Sequence, residues 1–451
     1  MPDLLLSFPL QPTEWTHPHL LAPGDVTAGV GDAEYRARRA GLAARLPAGA
    51  AALVAAPPRD MLPGTVIPAL QSYRTSPDMM YLSGITQEGC AALVRQVEGK
   101  AHLTVFVPDA DAVVDKWDGR PITQQAAAEV FGADDARPMS ALPRALRQLR
   151  AEGLTFFADE GTRAALARSG ARLAYDHVGR VEPLAPHLHP LRWRKSPPEL
   201  ALLRRAAAAT CAAFEEGIAH SLREGATEAT VAVTVEAGCR LRGADRMAYP
   251  SVSAVGESVN VIHYSRWDRR VTHAPGELFG LDAGCELAGM CSDITRAWPT
   301  SGTFTPATRD FYCAILEVHK ECMALAVEGQ TLDSMQQRAI ELLERALRRL
   351  GVRGDVRQYF PHNVGHYLGM DVHDCKMVAN STPMQSRVAL TCEPALYLPA
   401  DAHEVPKDLR GVGMRIEDML VVSEDGAPPE VLSSALPIEA DDVEALLARL
   451  R

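Results

Sequence analysis

The sequence predicts two domains, an α/β domain over residues 1–190 and an α+β domain over residues 191–451. The length is the first observation, because 451 residues exceed what one hydrophobic core ordinarily organises. The second is the alternation of short apolar runs with helical stretches in the first part, which is typical of α/β domains with a partly parallel sheet. The third is a strong helix start directly after Pro190–Lys195, which places the boundary there.

In the first domain, residues 1 to about 30 are rich in Pro and His and are expected to form a surface arm. The following helix and strand predictions rest on helical and apolar periodicity: Ala33–Leu46 (helix), Ala51–Ala56 and Leu103–Val107 (strands) and Gly161–Ala171 (helix). The polar stretch Tyr73–Gly84 is expected to be a structural loop that runs into a strand.

The second domain is predicted to open with a helix capped by Ser196, with Pro197 at its first position and Glu199 at its third. We expect this helix to reach about Leu222. Three further helices are predicted from capping residues and terminal glycines: Thr227–Leu241, Thr305–Gly329 and Thr331–Leu350. Ser251–Ser265 and Tyr359–Val422 are expected to hold strands and loops.

Composition narrows the function classes. The chain is 47% hydrophobic and 23% charged, as in soluble globular proteins, and its formal net charge of -11 argues against a nucleic-acid or membrane partner. The amino-terminal apolar run lacks the basic residues that open a secretory signal, and no apolar run approaches the length of a membrane span. The nine cysteines form no CxxC pair, so we expect reduced thiols in a cytoplasmic protein.

The stretch Leu281–Arg296 carries the first candidate site. It is predicted to form two short strands joined by a tight turn near Leu287–Gly289. Pairing of these strands can place Asp282 and Asp293 opposite each other on one face. Like charges so placed are destabilising unless one or two cations lie between them. An isolated pair at this spacing is more often two surface residues, so the interpretation depends on the residues that follow.

The segment Pro361–Asp374 holds three histidines: His362, His366 and His373. Its glycines, and the absence of Glu between the first two histidines, argue against the helix of zinc peptidases. A glycine-rich loop leading into a strand fits better, with Asp371 and His373 on one side of that strand. A lone histidine is more often structural than a ligand, whereas three in one such loop favour a site.

Two glutamates accompany apolar strand patterns. Glu393 lies in Val388–Pro394, on the face opposite to the apolar residues, and Glu417 shares one face of the strand Gly413–Val422 with Arg415. Taken alone, each segment is most often an ion-paired strand. Together with the aspartate hairpin they supply four carboxylates and one imidazole, and such carboxylates are seldom buried unless paired or metal-bound.

In this order, these stretches resemble the ligand motifs of the pita-bread metallopeptidases. The matching residues are Asp282 and Asp293 in LDAG…SDITR, His366 in HNVGHYLGMDVHD, Glu393 in LTCEPALYLP and Glu417 in GVGMRIED. The surrounding sequence is most similar to Xaa-Pro aminopeptidases and next to Xaa-Pro dipeptidases (prolidases). The resemblance is dense from about Ser196 to Ser423, and YRTSPDMMYLSGI and DKWDGR are similar to that family's N-terminal domain. It implies a pita-bread (creatinase/aminopeptidase-like) catalytic domain behind an aminopeptidase P-like N-terminal domain.

The resemblance implies a metal-dependent exopeptidase that hydrolyses the Xaa-Pro bond and releases the N-terminal residue of peptides with proline in second position. The five motif residues would bind two divalent ions, with Asp293 and Glu417 bridging them. The mostly hard donors favour Mn²⁺, with Co²⁺, Zn²⁺ or Fe²⁺ as alternatives. A hydroxide held between the ions would attack the peptide carbonyl, and Glu393 would act as general base and then as general acid.

Further residues are implied in substrate handling. His362 and His373 would donate hydrogen bonds to the carbonyl and the oxyanion. His263 would line the pocket, and Arg415 would contact the proline side, so that a shallow pocket beside His373 and Arg415 selects the ring.

Two alternative functions stay open, a prolidase restricted to dipeptides and a non-catalytic binding protein on the same fold. Departures from the family pattern bear on the pocket rim and therefore on substrate length: Ala395 replaces the usual Gly after Glu-Pro, and Cys375–Arg387 lacks the familiar glycines and Pro-Gly turn. A homodimer is the expected assembly, with a tetramer as the alternative.

Overall fold

The computed structural model describes residues 11–65, 67–68, 73–168 and 180–451. The chain divides into two compact units, one ending at Arg192 and the other comprising Trp193–Arg451. Across the described ranges, none of the helices combines the length and apolarity that a membrane crossing requires. The first ten residues of the expected surface arm and the end of the predicted helix Gly161–Ala171 lie outside the described residues.

The first unit is built on a mixed sheet flanked by helices. Its strands are β1 (Asp25–Thr27), β2 (Val30–Gly31), β3 (Ala50–Ala55), β4 (Ala91–Val97), β5 (Lys100–Val107), β6 (Asp135–Pro138), β7 (Thr155–Phe157) and β8 (Val181–Glu182). Its helices are α1 (Asp32–Arg45), α2 (Pro77–Ser83), α3 (Ala112–Asp118), α4 (Gln124–Glu129), α5 (Leu142–Ala151), α6 (Glu160–Arg168) and α7 (Ala185–Trp193), the last ending at the unit boundary.

Six of these strands form one sheet in the order β6-β5-β4-β3-β7-β8. The β3–β4 and β4–β5 pairs are antiparallel, and the other three are parallel. One core cluster joins Leu53, Phe106 and Phe156 of the sheet to Leu146 of α5 and Leu166 of α6. The partly parallel α/β sheet predicted from the alternation is therefore confirmed.

The prediction that Tyr73–Gly84 runs into a strand is wrong, because Pro77–Ser83 is helical. Ser76 caps this helix by accepting a hydrogen bond from the Met79 amide, and Pro77 occupies the first turn. Gly84 ends it in the left-handed conformation, with φ of 75°. The buried residues Met79–Ser83 therefore lie on a short helix and not on a strand.

The second unit contains four long helices that begin at capping boxes, together with two shorter ones. The helices are α8 (Pro197–Ser221), α9 (Glu228–Leu241), α10 (Pro306–Met323), α11 (Leu332–Arg349), α12 (Val356–Tyr359) and α13 (Ala440–Leu450). In each of the first four, a Ser or Thr side chain accepts from the amide three residues later and a side chain there bonds back. The sequence predicted these four starts correctly.

The end of α10 was predicted too late. The helix stops at Met323, six residues before Gly329. Gly329 instead donates its amide to the Met384 carbonyl, and the Met384 amide donates to Gln330. The segment after α10 is therefore held by pairing with a distant segment, which local periodicity does not reveal.

The strands of the second unit are short and form four small antiparallel sheets. They are β9 (Arg246–Met247), β10 (Val252–Val255), β11 (Leu278–Ala283), β12 (Cys285–Leu287), β13 (Met290–Cys291), β14 (Ile294–Pro299), β15 (Ala389–Cys392), β16 (Ala395–Tyr397), β17 (Gly413–Arg415), β18 (Asp418–Val421) and β19 (Glu430–Val431). The sheet orders are β10-β11-β14, β13-β12-β9, β15-β18-β19 and β16-β17. All nine cysteines are free, and only Cys313 is exposed.

Candidate metal centre

The two aspartates lie on the β11–β14 hairpin. Ala283 pairs with Ile294 and Asp282 with Thr295, so Asp293 lies two positions from the cross-strand partner of Asp282. The carboxylates are therefore diagonal neighbours. The prediction that they lie directly opposite each other is wrong. The turn is tight, since Leu287 pairs with Met290 and both intervening residues have positive φ (49° at Ala288, 82° at Gly289).

The two glutamates lie where the chain passes from one sheet to another. The sequence treated Gly413–Val422 as one strand, but β17 pairs with β16 whereas β18 pairs with β15. Both ladders share one register, with Cys392 opposite Asp418 and Ala395 opposite Arg415. Glu393 and Glu417 therefore fall opposite each other in the gap between the ladders, which is why both carboxylates can point to one place.

The histidine segment is a loop and not a helix, as expected. The additional prediction of a strand through Asp371 and His373 is wrong, because both residues lie in bends. His366 is fixed against β15, since its amide donates to Thr391 Oγ1 (3.1 Å) and its carbonyl accepts from the Thr391 amide (2.9 Å). Its Nδ1 lies 3.2 Å from the Tyr367 carbonyl, which can only accept, so Nδ1 carries the proton and Nε2 is left as a ligand atom.

These elements bring four carboxylates and one imidazole together. Ligand atoms of Asp293, His366 and Glu417 all lie within 4.8 Å of one another. His366 Nε2 is 3.4 Å from Asp293 Oδ2 and 3.5 Å from Glu393 Oε1. Asp282 is joined to the group through Tyr249, whose hydroxyl contacts the carboxylates of both Asp282 (2.5 Å) and Asp293.

Arg415 lies beside two of the carboxylates, Asp282 and Glu393. Its guanidinium contacts the Asp282 carboxylate, lies 4.0 Å from Glu393 Oε2 and donates to Tyr397 Oη at 2.5 Å. Tyr397 Oη is in turn 3.1 Å from His362 Nε2. Because His362 Nδ1 lies 2.8 Å from the Asn363 carbonyl, Nδ1 is the protonated nitrogen and Nε2 accepts from Tyr397.

Crowding of these buried charges perturbs their pKa values. Burial raises the pKa of Glu393 to about 7, with the charges of Asp293 and Asp282 adding to the effect against His366 and Arg415. Burial and three neighbouring carboxylates raise the pKa of Glu417 well above its usual value, and burial raises that of Asp282. Burial lowers the pKa of His366, but the hydrogen bond with Asp293 and the Glu393 charge outweigh it and raise the value to about 9.

The residues present fit a pair of divalent cations. Their donors are carboxylate oxygens and one imidazole nitrogen, the ligand types that Mn²⁺ and related ions accept. Burial is the largest cause of the raised pKa values of three of the four carboxyl groups, and bound cations would favour their charged forms. Asp293, His366 and Glu417 could together hold a metal ion, and Glu393 and Asp282 adjoin them through His366 and Tyr249.

The remaining predicted site residues border this cluster. The ring of His373 is exposed and packs edge-on against His366, with centroids 4.3 Å apart. His263 is exposed and lies close enough for its charge to lower the pKa values of His362 and His373, although burial is the larger cause for both. Burial lowers the pKa of His362 to about 4, so this ring is neutral at physiological pH.

Sequence reasoning missed the hydroxyl groups that hold the charged residues. These are Tyr249 between the two aspartates, Tyr397 between Arg415 and His362, and Thr295, which donates to Glu417 at 2.7 Å and accepts from Arg415 at 3.1 Å. Thr295 could have been found, because it follows Asp293 by two residues on a strand and so shares its face. Tyr249 carries no such signal.

Comparison with known proteins agrees with this geometry. Residues 201–424 match the model of metallopeptidase family M24, and residues 35–155 match that of the aminopeptidase P N-terminal domain. The chain is 36% identical to the mitochondrial intermediate cleaving peptidase 55 of Arabidopsis thaliana, covering 97% of this chain and 87% of that protein. It is 32% identical to human Xaa-Pro aminopeptidase 3, covering 97% and 90%.

Solved structures show the same likeness. E. coli aminopeptidase P with the inhibitor Pro-Leu superposes with a TM-score of 0.84 at 28% identity, covering 94% of this chain and 99% of that one. The zinc-substituted form of that enzyme in complex with product gives a TM-score of 0.85 over the same shares. The chain therefore belongs to metallopeptidase family M24 and carries an aminopeptidase P N-terminal domain.

Proposed function

We propose that this chain is an aminopeptidase with two bound divalent ions that removes the first residue from peptides with proline in second position. The observation that carries the proposal is the convergence of Asp293, His366 and Glu417 within 4.8 Å, beside Glu393 and the Asp282–Arg415 pair. The relatives named Xaa-Pro aminopeptidase support the substrate class, since they match along nearly the whole chain.

Mn²⁺ is the metal that we propose, because four of the five donors are hard carboxylates. When bound, two such ions polarise the peptide carbonyl and lower the pKa of a coordinated water to near neutrality. Asp293 and Glu417, whose ligand atoms lie within 4.8 Å of each other, would serve both ions. Asp282 would complete one ion, and His366 with Glu393 the other.

Glu393 is the group that we assign to proton transfer. Its Oε1 lies 3.5 Å from His366 Nε2, and its Oε2 lies 3.8 Å from His362 Nδ1 and 4.0 Å from Arg415 Nε. The two oxygens of one carboxylate therefore face different residues of the site. It would accept a proton from the attacking water and return it to the proline nitrogen, which as a tertiary amide has no proton of its own.

The histidines outside the ligand set are assigned to contacts with the substrate. The exposed ring of His373 is placed to donate to the substrate carbonyl and the oxyanion beside His366. The N–H of neutral His362 is already donated to Asn363, so a hydrogen bond from this ring to the oxyanion requires rotation or a second proton. We therefore assign the oxyanion contact primarily to His373, and leave His362 and His263 as residues that line the pocket with Arg415.

Hydrolysis of Xaa-Pro-Xaa beside Xaa-Pro, with Mn²⁺ and then with chelator, tests the proposal. We expect cleavage of the tripeptide after its first residue, and loss of that cleavage with chelator. The matched control is the tripeptide with alanine in second position. Cleavage of the dipeptide alone would favour the prolidase alternative, and no turnover of either with Mn²⁺ bound would contradict the proposed function and favour a binding protein on this fold.

A second candidate follows from the relative at 36% identity, which is named as a peptidase that cleaves intermediates. That name specifies an intermediate as the substrate and does not mention proline, so on this hypothesis proline in second position is not required. Equal turnover of the alanine and proline tripeptides would favour it.

Location and assembly are further proposals. We propose a cytoplasmic protein, which nine free thiols support because thiols persist in reducing compartments. We also propose a homodimer, the commonest closed assembly, with a tetramer as the alternative. Light scattering of the purified chain distinguishes the two and would exclude both if it reports a monomer.

A further inference from the structure

Lys195 is a buried lysine outside the residues assigned so far. Its side chain is 1% exposed, and its Nζ lies 3.6 Å from Asp374 Oδ2, on a side chain that is also 1% exposed. Nζ also donates to the Trp193 carbonyl at 3.3 Å. Buried charges persist only where they are paired and hydrogen-bonded, so this pair requires a structural explanation.

The Asp374 carboxylate closes the loop that carries the site histidines. It accepts from the Met370 amide (3.3 Å) and from the Cys375 amide (2.9 Å), one on each side of His373. The Asp374 amide donates in turn to the Tyr367 carbonyl at 2.9 Å. The backbone from Tyr367 to Cys375 is therefore gathered around one carboxylate, and His373 projects from it toward His366.

Gly369 provides a second, independent observation. A Cβ at this position would lie 2.2 Å from Asp374 Oδ2 and 2.8 Å from Lys195 Nζ. Its φ is outside the left-handed region, so steric room for the ion pair, and not backbone conformation, is what glycine supplies. The Gly369 carbonyl accepts from the Cys291 amide at 2.8 Å, which ties the loop to the aspartate hairpin.

Lys195 is itself held in place from the other side. Its amide donates to the Arg387 carbonyl at 2.9 Å, and Arg194 forms an isolated antiparallel β-bridge with Val388, the residue before β15. The segment before α8 is thus joined to the strand that leads to Glu393. The lysine is fixed at its backbone and presents its charge to the loop.

We propose that Lys195 is a positioning residue: its ion pair with Asp374 fixes the Gly369–Asp374 loop so that His373 is held beside His366, at the place where the scissile carbonyl binds. This inference rests on the proposed function, because it assigns Lys195 to the orientation of the oxyanion donor. His366 has its own anchors on Thr391 and does not depend on the pair. Metal binding and substrate orientation are therefore separable.

The kinetic test uses Lys195→Met, with Gly369→Ala as a second variant that keeps both charges and disturbs their geometry. We expect kcat for the proline tripeptide to fall about 10- to 100-fold, as for outer residues that orient a functional side chain. KM is expected to stay within about threefold and Mn²⁺ affinity, measured by calorimetry, within about twofold. Lys320→Met is the control, since it removes a lysine of this unit whose ion pair joins α10 to Glu439, the residue before α13.

A double-mutant cycle with His373→Ala separates positioning from general damage. If Lys195 acts through His373, Lys195→Met costs no further activity once His373 is absent. Additive losses in the cycle, an unchanged kcat, or an equal loss in Lys320→Met would overturn the proposal.

Hydrogen exchange gives a readout that does not depend on turnover. In Lys195→Met, amides of the peptide that spans Met370–Cys375 are expected to lose protection, while amides of β11 and β14 keep theirs. Unchanged protection of that peptide would contradict the proposal even if the wild-type chain cleaves tripeptides. Lost protection in an enzyme that cleaves no tripeptide would support the loop assignment while contradicting the proposed function.

Discussion

Removal of the metal ions is expected to make the stability of the second unit depend on pH in a defined direction. In the metal-free protein the pKa of Glu393 rises from 4.5 to about 7, because burial and the neighbouring aspartates disfavour its charged form. Its contribution to stability is therefore fully present below pH 4.5 and is lost as the pH rises through about 7. At about 1.36 kcal/mol per unit, this shift corresponds to roughly 3 kcal/mol.

His366 acts in the same direction at higher pH. Its pKa rises from 6.5 to about 9, so its contribution is present below pH 6.5 and is lost as the pH rises through about 9. Bound cations replace the protons on these groups, and an excess of Mn²⁺ near 1,000 times Kd would add about 4 kcal/mol. The difference in stability between Mn²⁺-loaded and chelated protein is therefore expected to grow as the pH rises.

The assay is urea unfolding of chelated and Mn²⁺-loaded protein at pH 5, 6, 7 and 8, with hydrogen exchange to identify the transition of Trp193–Arg451. Glu393→Gln is the matched control, since it keeps the shape of the side chain and removes its titration. We expect a shallower slope between pH 5 and 7 in this variant, because Glu417 and Asp282, whose pKa values are also raised, still titrate. Stability of the chelated wild type that rises with pH over this window, or the same slope in the variant, would refute the reasoning.

Three further outcomes are expected. Glu393→Gln should lower kcat about 10²- to 10⁴-fold if this carboxylate transfers the proton, and single-turnover kinetics with Mn²⁺ bound would show it; a wild-type rate would contradict the assignment. Gly284→Ala places a Cβ 1.8 Å from the Ser292 carbonyl oxygen, so it should destabilise the hairpin by about 1–3 kcal/mol and weaken Mn²⁺ binding. Gly161→Ala, which has open space around its Cβ, is the control and should have neither effect. Ser196→Ala removes a helix cap and should cost about 1 kcal/mol in urea unfolding without changing kcat; unchanged stability would show that the cap contributes nothing.

Local chemistry accounts for the elements that the sequence predicted well. The four capping boxes of the second unit are formed by residues three apart, so each helix start can be predicted from four consecutive residues. The predicted apolar runs Ala51–Ala56 and Leu103–Val107 fall on β3 and β5, two interior strands of the sheet, and needed no distant partner to be recognised. The M24 fold and the metallopeptidase class followed from motif order.

What the sequence did not reveal depends on contacts between distant segments. The break between β17 and β18 lies opposite the break between their partners, since β17 pairs with β16, β18 pairs with β15, and Glu393 lies between β15 and β16. Tyr249 reaches two aspartates that follow it by more than thirty residues, and no local period marks it. The short helix Pro77–Ser83 is an exception, since its start is marked locally by the cap Ser76 and by Pro77 in the first turn.

Anomalous diffraction at the manganese edge, from crystals grown with Mn²⁺, tests the central claim most directly. The account predicts two peaks roughly 3.5–4 Å apart, as in other two-metal hydrolases. Both should be bound by Asp293 and Glu417, with Asp282 on one ion and His366 with Glu393 on the other. A single peak, or peaks bound by other residues, would contradict the dinuclear site and the hydrolysis that we derive from it.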